Sequence, residues 1–500
     1  MPPPDPDPAL RHPVLAGQLP ADAWSRFLTA ETPDALRLWF GPAALAACAG
    51  HAAALRYAID RDILALDRMI AAQLDAVLHH KRLQALEASW RGLRWLLDQV
   101  EDGPGDRIVV RVLNTAWREI ARDMERAGDP EQSQLFRKIY ETEFGMAGGE
   151  PFGLLVADYA VRHHRPDRDY PTDDKAVLEH LTAIGAAAFA PVVVGAAPAL
   201  LDVESFAELG PIADPAACLA DPDHARWRGL RDRLDSRFLA VALPRVLARP
   251  PWPDDGTRGD GFRYRERAAA VTDRLWMNAG YAFAAVVARA AARFGWPADV
   301  RGADPDRVGG GLVTGLPMEP HRLSDTLSLP RLPLEVVFTD RQERSLTEAG
   351  LMPLGALPYG EELLFGSVRG LYRPPRLAGP AAQGAAANYR MAAQMNATLC
   401  ASRFAHYLKI RGRQTVGRTR QPQEIEMELR TWLTGFVNRN TQATAETRAT
   451  HPLYDANVSV SELPDKPGAF TCKIMLQPYF QLDDVTAAFN FETEIAPPAA

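Results

Sequence analysis

From Arg107 onward the chain alternates short, uninterrupted runs of β-branched and aliphatic residues with helical stretches, and that alternation restricts its fold more than any other feature. RIVVRVL (107–113) precedes TAWREIARDMERA (115–127), for which Asn114 and Thr115 offer a cap. PFGLLVADY (151–159), a helix opening at 171–174, APVVVG (190–195), FLAVALP (238–244), one long helix over 265–295 and LEVVFTD (334–340) continue the series. Apolar runs without polar alternation predict strands covered on both faces. The expectation is an α/β body, with a mixed central sheet flanked by helices, over residues 59–380.

An N-terminal helical region precedes that body. Ile63, Leu66, Ile70, Leu74 and Val77 recur at steps of three and four, and after His79-His80-Lys81 the pattern restarts at Leu83, Leu86, Trp90, Leu93 and Leu97. Two amphipathic helices follow from this spacing, with the tryptophans as packing anchors. Trp24, Phe27, Leu36, Leu38, Trp39 and Phe40 predict a smaller helical segment, and the Pro-rich first twenty residues read as an extended arm. Residues 1–58 are taken together as arm and segment.

A Pro, Gly and Ala-rich break at 372–390 sets off a third region, 381–500, with helices expected over Tyr389–Ile410 and Pro422–Val437. Two amphipathic strands close the chain. Phe470, Cys472, Ile474 and Leu476 share one face of the first, and Val485, Ala487, Phe489 and Phe491 share one face of the second. Val458 and Val460 mark a shorter third strand. A strand near a chain end is suited to pairing with an edge on another subunit. Lys409, Arg411, Arg413, Arg418 and Arg420 gather between the two helices without an intervening acid and read as a protein contact surface.

Composition narrows the function classes. The 500 residues are 47% hydrophobic and 24% charged, as in a globular chain of two or three structural units. The longest apolar stretches are Ala-rich and broken by Gly and Pro, so no membrane insertion is expected. The start lacks a basic region leading into an apolar one, which predicts a cytoplasmic location. Cys48, Cys218, Cys400 and Cys472 form no CxxC pair and read as free thiols. A net charge of -7 argues against nucleic acid as the partner.

Chemistry-bearing patterns each have a simpler structural reading. Gly309-Gly310-Gly311 lacks the Lys-Ser/Thr of a phosphate loop and reads as a tight turn. His79-His80 are neighbours on a helix, about 100° apart, and fit a helix C-terminus better than a metal site. His163-His164 sits in a polar loop with no third ligand close in sequence. Asp173-Asp174 and Asp483-Asp484 stand at element starts, where capping accounts for them. GxSxG, HExxH and Cys-His signatures are absent from the sequence. No catalytic, cofactor-binding or metal-ligating residues are therefore expected, and no cofactor.

QLDAVLHH…LQALEASWRGLRWLL, KIYETEFGMAGGEPFGLLVADY, LWMNAGYAFA, GLP (315–317), TDRQE (339–343), RFAHYLK (403–409) and PYFQLDD (478–484) occur in an order that resembles the large sheath subunit of bacterial type VI secretion systems, the TssC/VipB family. The resemblance implies a structural protein rather than an enzyme. It implies pairing with a small (TssB/VipA-like) sheath subunit, and many such heterodimers forming a helical tube around a stack of ring-shaped (Hcp-like) inner-tube proteins. It further implies a baseplate contact, contraction that propels the inner tube, and recycling by a AAA+ (ClpV-like) unfoldase. In that setting the last two strands would carry inter-subunit pairing. Two departures stand out: Lys81 replaces the proline that members commonly carry after the paired histidines, and the first sixty residues match poorly. The alternatives are a phage-tail-like sheath component and, in a different class, an α/β enzyme using the glycine turn or an aspartate pair.

Overall fold

The computed structural model describes the chain except residues 1–8, 49–50, 102–107, 169, 258, 260, 304–307, 323–327, 358–359, 376–382, 416–420, 441, 463–469, 479–488 and 496–500. It divides into two compact units, residues 1–86 with 250–274, and residues 87–249 with 275–500.

In the first unit, helices at Arg11–Leu15, Ala21–Thr29 and Thr32–Phe40 precede the long helix α1 (Ala52–Leu78). The helix at 11–15 corrects the reading of the whole Pro-rich start as an arm. Leu10 and Val14 are buried with Trp39 and Phe40, and that burial offsets the entropy of ordering the segment. Asp62 is buried beside them and is satisfied by Arg11 Nη2 at 2.7 Å and Trp39 Nε1 at 3.0 Å. At the end of α1, His79 forms the C-cap, and its Nε2 lies 3.2 Å from Glu266 Oε1. Helix α2 (Lys81–Glu101) begins at the break predicted after the paired histidines.

The second unit is built on four parallel strands in the order β1 (Leu155–Val161), β2 (Val192–Ala196), β3 (Leu239–Leu243), β4 (Met352–Pro353). Their side chains alternate between two cores. Val192, Val194, Leu239, Val241 and Leu243 join the core containing helix α3 (Asp174–Ala188), whereas Val193, Ala240 and Ala242 join the core of helix α5 (Ala279–Phe294). This two-sided cover is why the strand sequences show no polar alternation. Helix α4 (Ala225–Arg231) packs with α3 on the first side.

Several expected elements take another form. Residues 108–113 of RIVVRVL form no strand and have no ladder partner among the described residues, and Arg111 reaches Glu143 and Glu150, at 2.6 Å each. LEVVFTD is not one either, making only an isolated bridge from Leu334 to Val246, because Glu335 turns inward to an ion pair with Arg245 at 2.7 Å. The long helix expected over 265–295 starts only at Ala279. Leu275–Met277 pairs instead with Val246–Arg249, and Asn278 Oδ1 accepts from Gly280 N at 2.8 Å as an N-cap. The cap foreseen at 114–115 is instead Ala116, whose N–H donates to Glu119 Oε2 at 2.8 Å. Between Gln383–Ala392 and helix α6 (Met395–Thr415) the expected single helix breaks, because Ala393 O accepts from Gly370 N and Met395 N donates to Val368 O. Helix α7 (Pro422–Thr434) follows.

On α6, His406 is buried and donates from Nε2 to Ala188 O at 3.0 Å. Burial pushes its imidazole down to about 4, with the Arg403 charge adding to the effect and the backbone hydrogen bond opposing it. A histidine held neutral by folding contributes stability above its unfolded pKa, and that stability is lost as pH falls from about 6.5 toward the folded value. We expect about 2 kcal/mol of unfolding free energy to disappear between pH 7.5 and pH 5 through this group. Urea unfolding at both pH values, in the wild type and in His406→Gln, checks it; an unchanged slope in the variant contradicts the assignment.

Candidate assembly surfaces

The C-terminal region closes with an antiparallel sheet ordered β5 (Leu453–Glu462), β6 (Phe470–Pro478), β7 (Phe489–Ile495). β5 is longer than Val458 and Val460 alone implied. The face predicted for β6 points inward: Cys472, Ile474 and Leu476 are buried and Phe470 is half-buried. They form one core with Phe404 and Leu408 of α6 and Ile425, Leu429 and Leu433 of α7. Phe489 pairs with Leu476 in register and Phe491 with Ile474, while Val485 and Ala487 lie outside the described residues. Within one chain these strands thus pair with each other.

The sheet's two edges differ. On β5, Val458 O accepts from Arg430 Nη2 at 3.2 Å, Val460 N donates to Glu426 Oε2 at 3.2 Å, and Arg430 and Glu426 are themselves paired at 2.7 Å. Side chains of α7 therefore occupy backbone groups of that edge, a device that blocks strand addition. The other edge is β7, near the chain's end.

Lys409 Nζ lies 5.6 Å from the centroid of the Phe144 ring, and Arg411 stacks over Trp432 at 4.8 Å and pairs with Glu428 at 3.8 Å. The acid missing from their own segment comes from α7. Arg413 lies within α6, and Arg418 and Arg420 fall outside the described residues.

Three apolar features that the sequence presented as interior are at the surface. Ile63, Ile70 and Val77 of α1 are exposed, Leu66 and Leu74 being half-buried. Trp90 is 64% exposed, whereas Trp95 is buried and donates from Nε1 to Gly315 O at 2.9 Å, so only one tryptophan of the pair is a packing anchor. Along residues 108–113, Val109, Val112 and Leu113 are exposed. Helical and strand spacing reveal which residues share a face but not whether the same chain covers it.

The glycine turn uses its amides internally: Gly310 N donates to Asp299 Oδ2 at 3.0 Å and Gly311 N to Gly302 O at 2.7 Å. Those two amides are taken up within the chain and do not face a phosphate. Gly310 has φ +59°, and a Cβ on Gly311 would collide with the Phe365 carbonyl, so both positions require glycine. Asp173 caps α3 through Ala176 N at 3.4 Å and pairs with Arg226 at 2.5 Å. Asp174 is buried and accepts from Trp117 Nε1, Arg162 N and Tyr170 Oη at 2.7, 2.9 and 3.0 Å. Its burial pushes the carboxyl upward, against those three donors. Asp483 and Asp484 lie outside the described residues. The histidine pair at 163–164 is a different case, because folding supplies what the local sequence lacked: Asp202 and His224 converge on His163.

Comparison with known proteins bears on which of these surfaces matter. The family described as EvpB/VC_A0108, tail sheath N-terminal domain, matches residues 60–372, and the EvpB/VC_A0108 tail sheath gpW/gp25-like domain matches residues 384–495. The type VI secretion system sheath protein TssC1 of Pseudomonas aeruginosa is 31% identical over 442 residues, covering 87% of this chain and 86% of that protein. Among the described residues no helix is long and apolar enough to cross a membrane. The chain belongs to the VipB family of tail sheath proteins and is a large-subunit, structural component of a type VI secretion sheath.

Proposed function

We propose that this chain works in the cytoplasm as the large subunit of a contractile sheath, in which it pairs with a small sheath subunit and polymerises into a helical tube. The observation that carries the assembly mode is the asymmetry of the C-terminal sheet. One edge is occupied by Glu426 and Arg430, and the other, β7, stands near the end of the chain. An edge strand of that kind accepts a strand from a neighbouring subunit through main-chain hydrogen bonds, so that subunits stay linked while the tube contracts. In this reading Cys472, Ile474 and Leu476 hold the sheet on its own chain, while β7 makes the intermolecular ladder. Residues 1–58, 59–380 and 381–500 act as N-terminal segment, sheath body and C-terminal linker domain. Lys409, Arg411, Arg413, Arg418 and Arg420 lie at a protein contact. The inner tube, the baseplate and a recycling AAA+ unfoldase complete the set of partners.

Co-production with a small sheath subunit of a type VI secretion system, followed by negative-stain microscopy, tests the reading. Tubes are the expected result, and soluble monomers alone count against it. A chain ending at Pro478 isolates the edge, because β6 and the core beneath it remain. That variant should keep the thermal unfolding of the body and yield no tubes; tubes of normal length would exclude strand addition at β7.

A further inference from the structure

We propose that His163, Asp202 and His224 form a binding site for a divalent transition-metal ion of the zinc type. The three residues come from three separate loops at one end of the parallel sheet. His163 follows β1 by two residues, Asp202 follows the turn after β2, and His224 immediately precedes α4. The carboxyl ends of adjacent parallel strands are where side chains from successive loops converge in open α/β sheets. Local sequence could not bring them together, since the closest pair is separated by more than twenty residues.

The geometry is close to that of a ligand set. One donor atom from each residue lies within 4.8 Å of the others, and among the described residues this is the one such grouping of three. His163 Nε2 is 2.8 Å from Asp202 Oδ1, and His224 Nε2 is 3.7 Å from Asp202 Oδ2. Both imidazole nitrogens therefore turn toward one carboxylate, which serves only the first at hydrogen-bonding distance. His224 Nε2 has a second neighbour, Leu200 O, at 3.2 Å. The two rings stack with centroids 3.5 Å apart and planes 20° apart. Both are buried, and the Nδ1 atom of each lies in the interior without a hydrogen-bond partner.

Two imidazoles and one carboxylate, with a fourth position open to water, make a donor set suited to zinc, cobalt or nickel and poorly suited to calcium or magnesium. Zinc bonds of about 2.0–2.2 Å place tetrahedral donors roughly 3.4 Å apart, so binding opens the 2.8 Å His163–Asp202 contact, closes the 3.7 Å His224–Asp202 one and rotates the stacked rings into a fan. The Asp202 side chain, 41% exposed, supplies both the solvent path and a carboxylate free to make that adjustment. A bound ion would tie the ends of β1 and β2 to the start of α4. It would brace the loop side of the body without participating in any reaction.

The test uses the full-length chain, stripped with a chelator and titrated with Co²⁺ and then Zn²⁺. One equivalent of Co²⁺ should bind with the visible absorption of a four- or five-coordinate ion, and Zn²⁺ should displace it and raise the melting temperature. Asp202→Asn changes only a partly exposed side chain and should weaken Co²⁺ binding by more than about tenfold. His164→Gln, whose ring lies outside the ligand set, should leave binding intact. Absence of saturable binding at one equivalent in the wild type overturns the proposal, as does undiminished binding by a folded Asp202→Asn chain. His224→Gln, which risks the fold, is read only with a matching circular dichroism spectrum and must then also lose the ion.

Discussion

Replacing Phe404 by alanine is expected to lower the unfolding free energy of the C-terminal region by about 3–5 kcal/mol. Phe404 is fully buried on α6 and stacks on Trp296 with centroids 4.1 Å apart and planes 19° apart. Trp432 and Phe436 meet it edge-on at 6.0 and 5.8 Å. The ring also joins the same core as Cys472, Ile474 and Leu476 of β6, so its loss empties space between the two helices and the sheet. Large side chains on three sides cannot collapse into such a gap without leaving their rotamers, which places the cost near the top of the range. Phe404→Leu keeps most of the volume but loses the aromatic contacts, and a cost of roughly 1–2 kcal/mol is expected. Chemical denaturation followed by tryptophan fluorescence reports on the site directly through Trp296 and Trp432. An alanine variant within about 1 kcal/mol of the wild type would show that this core does not hold the sheet.

The second large effect belongs to Arg245. The Glu335 side chain is fully buried and accepts from Arg245 Nε at 2.7 Å, Arg245 Nη2 at 2.8 Å, Ser205 Oγ at 2.9 Å and Phe206 N at 3.1 Å. Arg245→Ala leaves that carboxylate in the interior with two neutral donors and no counter-charge, and a loss of about 3–5 kcal/mol follows. The pair itself is worth far less than this, because desolvating both ions offsets most of their attraction. The double variant Arg245→Leu with Glu335→Leu should therefore recover most of what the single variant loses. Thermal and urea unfolding of the two variants and the wild type decide the matter. A double variant no more stable than Arg245→Ala would mean that the site needs the ion pair for its shape rather than for charge balance.

The α/β alternation was legible because uninterrupted apolar runs such as APVVVG and FLAVALP have one physical use, a strand covered on both sides, and β2 and β3 occupy those positions. The same reasoning failed at RIVVRVL and LEVVFTD. A run of β-branched residues states a preference for extended backbone, but a strand also needs an adjacent edge. Among the described residues no strand pairs with residues 108–113, and Glu335 diverts the second run into an ion pair. Helix starts were misplaced where a side-chain cap or a pairing decided them, as at Asn278. Of the candidate site, the inward face of β6 was readable from its alternation. The capping of the β5 edge by Glu426 and Arg430 was not, because nothing in local sequence tells α7 where β5 will lie.

By itself the sequence determined the secondary preferences, the two-sided cover of the sheet, the amphipathic faces and the family, since each of these rests on residues close together in the chain or on ordered motifs along it. Only the tertiary structure decided which apolar faces the chain covers for itself, that side chains of α7 occupy the β5 edge of the final sheet, and that His163 meets Asp202 and His224. Those outcomes depend on contacts between residues tens to hundreds of positions apart, and the order in which residues are joined does not encode such distances.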